Sequence, residues 1–356
     1  MDSTKKCGSL ILAALVIAAF TAGCGGGGAS SGGSSSPSGG GSPTGGGSTP
    51  TTGALGNDDV RSIAVSGSTI CVGTFGGGLS TSTDGGTSWT NFTTANGLAN
   101  NIVNGVTLSG STIYAATGTP PEGNTPAAGG VSISSNGGTS WSNFTTANGL
   151  GNDEVSQIAV NGASIYAANV GGLDLSTNGG KTWTSRTPPD ITGGGSTNVP
   201  CVLISGSVMY AGNDGALSRS TNQGYDWTAL VDTVGGSANA VISIAVSGTT
   251  ICAGTEKGLL VSTDGGEHFT TYTTTNGLGD NDVEGVATDG TTIYAGTPHG
   301  LSISTNTGAS WTNYTANGLG SPDIQGLVLS GTTLYAATGH GVSISTNGGT
   351  SWTNHL

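Results

Sequence analysis

Acidic side chains outnumber basic ones by 20 to 7 in this chain of 356 residues, and they gather in few places. Seven short Val- or Ile-led segments are preceded in turn by Asp59, Ile102, Glu154, Asn198, Ala240, Asp282 and Asp323. Arg61, Glu284 and Gln325 stand beside the three aspartates, and His299 and His340 lie a little further on. Carboxylates grouped with imidazoles can hold a divalent cation such as Ca²⁺, or a cationic ligand. Asp and Asn also shape the turn that leads into a strand, by accepting backbone N–H bonds. That plainer role competes with the chemical one at every position. Dedicated catalytic motifs are missing: residues 54–356 contain no Gly-x-Ser-x-Gly, no His-Glu-x-x-His and no Cys-x-x-Cys. Apart from Ca²⁺, no cofactor is implied. A net charge of −13 repels phosphate backbones, so nucleic acid is excluded as a partner.

These side chains must be positioned by the rest of the chain, and the rest is a repeat. An octapeptide of the form Ser-x-Asp/Asn-x-Gly-x-x-Trp occurs at Ser82–Trp89, Ser134–Trp141, Ser176–Trp183, Ser220–Trp227, Ser262–Phe269, Ser304–Trp311 and Ser345–Trp352. Phe269 replaces the tryptophan in the fifth copy, and every tryptophan of the chain ends one of the other six. Around each copy the order is strand, tight turn, strand, loop, strand, octapeptide, strand. The strands are short, β-branched or aromatic, and bounded by Gly, Asn and Asp. Four strands in about 42 residues match one propeller blade. Residues 54–356 are therefore expected to form an all-β, seven-bladed β-propeller of four-stranded antiparallel blades.

In that fold the seven polar side chains Asp84, Asn136, Asn178, Asn222, Asp264, Asn306 and Asn347 accept backbone N–H bonds across their turns. The aromatics Trp89, Trp141, Trp183, Trp227, Phe269, Trp311 and Trp352 are expected between neighbouring blades. Connectors between blades share one face with the loops between second and third strands. Blades six, seven and one are contiguous round the ring, so Asp282, Asp323 and Asp59 come side by side at the mouth. Glu284, Arg61, His299 and His340 join them there. Three segments depart from the repeat: the loop Gly118–Gly129 and the connectors Arg186–Pro200 and Ala229–Ala240. Ring closure is expected without a strand exchanged between termini. Instead the arm Gly53–Asp58 copies the connector Asn148–Asp153, and is expected to dock on blade seven. Cys71 and Cys252 take a position filled by tyrosine in the other blades; on non-adjacent blades they are too far apart to bridge and are expected as buried thiols, while a bridge between Cys201 and Cys252 on neighbouring blades stays open.

The octapeptide resembles the BNR/Asp-box family. The stretch Asn276 to Leu301 is similar to the propeller repeats of two-component regulator sensors, and the Gly-Gly-x-Ser-Trp style of box to propellers related to photosystem II assembly factors. The resemblance implies that the boxes are structural and lie opposite the usual ligand face. It also raises an enzymatic alternative, since Asp-box propellers include sialidases and other glycosidases. A sialidase needs an arginine triad, a tyrosine nucleophile and an acidic partner. Arg61, Arg186 and Arg219 hold unrelated repeat positions, and Tyr114, Tyr166, Tyr210, Tyr294 and Tyr335 share one, which marks them as packing residues. A hydrolase using a pair of mouth carboxylates is the remaining catalytic reading. The favoured one is a non-catalytic binding or scaffold propeller for a protein, peptide or glycan, acting as a monomer.

The N-terminus reads as an export signal. Lys5 and Lys6 precede the apolar run Leu10–Phe20, which is shorter than the roughly 20 residues of a spanning helix. Thr21-Ala22-Gly23-Cys24 resembles a bacterial lipobox, with Thr21 in place of the usual Leu. Residues 1–23 are thus expected to be a lipoprotein signal peptide, and 24–53, almost all Gly, Ser, Thr and Pro, a flexible linker. The lipid would be the only contact with a membrane. Cys24→Ser is expected to abolish labelling by a palmitate analogue and to release the exported protein in soluble form. Undiminished labelling of that variant would remove the anchor.

Overall fold

The computed structural model describes residues 49–119, 128–188, 197–231, 239–315 and 317–356. The signal, Cys24 and most of the linker lie outside the described residues, as do the centres of the three divergent segments. Blade one shows the local logic. Strand β2 (Val60–Ser66) turns at Gly67, whose φ of 59° suits a residue without Cβ, into β3 (Thr69–Thr74). β4 (Leu79–Ser82) and β5 (Trp89–Phe92) complete the antiparallel meander. The other six blades repeat it, each a four-stranded sheet in sequence order. Among the described residues no helix is long and apolar enough to cross a membrane.

Between β4 and β5 the octapeptide folds on its own polar side chains. Ser82 Oγ accepts the Gly86 N–H at 2.8 Å and donates to Asp84 Oδ1 at 2.8 Å. Asp84 Oδ1 also accepts the Ser88 N–H at 2.9 Å. Where the third position is Asn, its amide nitrogen finds an acceptor at the seventh, as in Asn136 to Ser140 at 2.9 Å and Asn222 to Asp226 at 2.7 Å. Where it is Asp, the seventh residue is a donor, Ser88 or His268. The turn thereby aims its last residue back at the sheet.

That last residue decides how blades meet. Seven apolar clusters lie between successive blades, and each contains the box aromatic of the later blade. Trp141 joins Phe92, Leu98 and Val106 between blades one and two, and Trp183 joins Val131, Leu150 and Val155 between two and three. Trp227, Phe269, Trp311 and Trp352 do the same at the next four boundaries. The preceding blade often supplies a ring of its own, as in the edge-to-face pairs Phe92–Trp141 at 5.9 Å and Tyr272–Trp311 at 5.7 Å. Tyr114, Tyr166, Tyr210, Tyr294 and Tyr335 all belong to these clusters. Cys71, Cys201 and Cys252 are buried free thiols, and burial pushes Cys201 and Cys252 up to about 12.

The ring closes without an exchanged strand, as expected, but the N-terminal segment is placed differently. Thr51–Gly53, assigned to the linker on composition, forms strand β1 and pairs with β5, giving blade one a fifth strand. The arm that follows docks on blade one as well as on blade seven. Asn91 Nδ2 donates to the Ala54 carbonyl at 2.9 Å, as Asn143, Asn313 and Asn354 do to Gly97, Gly277 and Gly318. So a fourth-strand Asn holds the connector that leads into its own blade. The end of the arm is bonded to blade seven, where the Asp58 carbonyl accepts the Gly341 N–H at 2.6 Å. Leu55 packs into the cluster between the two, beside Trp89, Val328 and Val342.

Two stability measurements follow. Trp183→Ala, at a side chain 6% exposed, should lower unfolding free energy by about 3–5 kcal/mol in urea denaturation. A near-neutral result would place the box aromatics outside the core. Deleting 51–58 should lower the Tm clearly, while deleting 25–48 leaves it unchanged. Equal Tm values for the two truncations would mean that the arm does not hold the seam.

Candidate functional site at the propeller mouth

The innermost strand of each blade delivers the mouth residues, and a β-bulge aims them. In blade one Val60 pairs with Thr74 and Ser62 with Gly73, so Arg61 has no partner across the ladder. The same slip occurs at Gln325 in blade seven. Glu284 takes the corresponding place just ahead of its strand, with its N–H bonded to the Gly296 carbonyl at 3.0 Å. Bulges re-aim side chains at the edge of a ladder. Further down, the first strands of blades one to four line a small apolar cavity with Ile63, Val106, Ile158 and Val202.

The turns into these strands are shaped by other residues than the aspartates. Asn57 Oδ1 accepts the Asp59 N–H at 2.8 Å, Asp280 Oδ1 that of Asp282 at 3.1 Å, and Ser321 Oγ that of Asp323 at 3.2 Å. Asn100 and Asn152 do this for Ile102 and Glu154. The carboxylates of Asp59, Asp282 and Asp323 are thus spared the turn-shaping role that composition allowed them.

Across the seam, Gln325 Nε2 donates to Asp59 Oδ1 at 3.1 Å and to Asp323 Oδ2 at 3.3 Å. Arg61 lies 3.9 Å from Asp59 Oδ2, with its guanidinium carbon 3.8 Å from the centre of the Phe75 ring. Glu284 is the most perturbed acid of the group. Burial, then the charges of Asp282 and Asp323, push its carboxyl up to about 8, against the pull of Arg61. Its Oε2 is buried with no hydrogen-bond partner among the described residues. Burial also raises Asp282 and Asp323, and like charges add to the effect: Glu256, Asp280 and Asp323 on Asp282, and Asp59 on Asp323. Arg61 is lowered by burial, although Asp59, Glu284 and Asp323 oppose this.

Asp59, Arg61, Asp282, Glu284 and Asp323 therefore form one electrostatic unit. The two histidines stand at its margin, each turned to a carboxylate of a connector: His299 to Asp280, and His340 Nδ1 to Asp58 Oδ2 at 2.8 Å. Glu154 is raised by its own burial and has no such company, and Asn198 bonds Asp214 on its own blade at 3.3 Å. Asp58, Asp280, Glu256 and Phe75 are additions that the repeat alignment did not single out. Among the described residues, the one group of three potential metal ligands that converge is Asp264, Glu267 and His268, exposed on the opposite face. Among the described residues no three of the mouth carboxylates and histidines converge in this way.

No family model and no curated protein matches the chain. Solved propeller structures do. YCF48 bound to D1 peptide is 15% identical with a TM-score of 0.58, over 83% of this chain and 96% of that one. A GH74 xyloglucanase from Xanthomonas campestris is 16% identical with a TM-score of 0.60, and 85% of this chain spans 54% of the enzyme. PorZ, a surface component of the type-IX secretion system of Porphyromonas gingivalis, is 14% identical with a TM-score of 0.59, over 87% of this chain and 39% of PorZ. At such identities the likeness is one of fold, a seven-bladed β-propeller.

Proposed function

We propose that this chain is a non-catalytic binding propeller, exported and tethered at the cell envelope through Cys24. Its mouth captures a cationic segment of a protein or peptide. The observation that carries this reading is the release of Asp59, Asp282 and Asp323 from the turns that precede their strands. The charges of Asp59, Asp282 and Asp323 are spread over three blades around Arg61, and Glu284 joins them once it loses its proton near pH 8. Spread carboxylates suit an extended guanidinium or ammonium side chain better than a bare metal ion. YCF48, a propeller of similar extent, is bound to a peptide, and PorZ is a bacterial surface component. The seven boxes, with their turn-forming Asp or Asn, make the chain a member of the Asp-box group in this reading.

Glu284 supports a second reading. A carboxyl that keeps its proton near neutral pH, beside other carboxylates, has the character of a general acid in a glycoside hydrolase. Turnover of xyloglucan or chromogenic glycosides, lost in Glu284→Gln and kept in Glu267→Gln, would replace the binding role by this one.

The binding role is tested with tetra-arginine and tetra-glutamate peptides by calorimetry. Tetra-arginine should bind, more weakly as salt rises, and the double change Asp282→Asn with Asp323→Asn should weaken it about tenfold or more. Glu267→Gln removes a charge from the opposite face and should have no effect. Equal affinity for both peptides, or no loss in the double variant, would remove the acidic mouth as a binding site. Glu284 adds a pH signature. Folded, it releases its proton near pH 8 instead of 4.5, so capture of arginine should tighten as pH rises through 8. Stability moves the other way. Between those values the folded state holds a proton that the unfolded state has lost, so stability falls with rising pH. Glu284→Gln should therefore raise the Tm at pH 9 and leave it unchanged at pH 4, and a constant difference would contradict the assignment.

A further inference from the structure

Among the described residues, Phe75 is one of four large apolar side chains left open to solvent, at 44% exposure. Single exposed apolar residues are ordinary on protein surfaces and mean little alone. This one is held in place. Its N–H bonds the Asp59 carbonyl at 2.9 Å, and its backbone bridges to Ile102 of blade two. The Gly76-Gly77-Gly78 run behind it is pinned as well: the N–H groups of Gly76 and Gly78 both bond the Asn101 carbonyl, at 3.1 and 2.8 Å. A Cβ on Gly77 would come within 2.5 Å of Asn57, so the loop lies flat on the arm and leaves the phenyl ring outside. Arg61 covers one side of that ring and is coupled in turn to Asp59, Glu284 and Asp323. An aromatic whose backbone is pinned and whose ring is stacked on Arg61 costs little ordering on binding, which is the character of an anchor site.

We propose that Phe75 is the apolar half of a two-part recognition surface, resting on the reading of the mouth as a cation-binding site. The acids take a basic side chain of the bound segment, and the open side of the Phe75 ring takes an aromatic or aliphatic one adjacent to it. The occupant is a basic peptide segment carrying at least one large apolar residue. Its positive charge complements the mouth, and a neutral apolar segment would leave the carboxylates without a partner.

Two synthetic probes separate the halves, Arg-Trp-Arg-Gly and Arg-Gly-Arg-Gly, titrated into the full-length protein by calorimetry. The tryptophan probe should bind about tenfold tighter to the wild type, the difference expected from burying one aromatic side chain in part. Phe75→Ala should collapse that ratio towards one, and Phe75→Leu, still apolar, should keep most of it. Equal affinity of the two probes in the wild type, or an undiminished ratio in Phe75→Ala, overturns the proposal and leaves the acidic mouth standing. If neither probe binds, the cation-binding reading and this one fall together.

Discussion

A blade of four short strands has two apolar faces and cannot cover either of them alone. Each face is covered by the next blade, and the aromatic that ends the octapeptide is the piece that makes the fit. Trp141, seated edge-on against Phe92 of the preceding blade, shows the arrangement at one boundary, and Tyr272 with Trp311 repeats it at another. The polar part of the octapeptide serves this contact. By satisfying its own backbone donors with Ser and Asp or Asn, the turn fixes where the ring must go. Connector leucines such as Leu98, Leu150 and Leu278 fill the same clusters from the other face. Stability is thus carried by boundaries between blades, and the loops at the mouth are left to vary.

The polar mouth coincides with the place where the chain's two ends meet. Gln325 of blade seven bonds a carboxylate of its own blade and one of blade one. The acids of blade six raise the local negative charge, and Arg61 of blade one is the cation that offsets it. Burial of these groups strengthens the effects, because charge is poorly screened there. A ligand cation in the mouth would therefore touch both sides of the seam at once.

Much of this was legible in the sequence because repetition multiplies a weak signal. The seven octapeptides announce the blade count, and the shared position of the five tyrosines announces their packing role. Alignment of first strands points to the three aspartates, Asp59, Asp282 and Asp323, whose electrostatic coupling follows from register alone. What stayed hidden depends on side-chain direction or on a tertiary partner. Thr51–Gly53 reads as linker because it carries no apolar side chain, and only the open edge of β5 makes it a strand. The histidines were grouped with the central acids, but their loops turn them to Asp58 and Asp280. Phe75 sits in a glycine run that looks featureless until the arm is seen beneath it.

Strand β1 has a mechanical consequence. Its three residues run antiparallel to β5, with Thr51 opposite Asn91 and Gly53 opposite Trp89. A pull arriving through Thr49 meets this short ladder on the rim before it reaches any strand of the ring. Leu55 and Asp58, which hold the seam, come later in the chain and are shielded from the load while the ladder lasts. If it peels away, the force passes to Asn91, whose side chain grips the Ala54 carbonyl, and only then to the closure itself. The fifth strand is thus a sacrificial link between tension on the N-terminal segment and the integrity of the propeller.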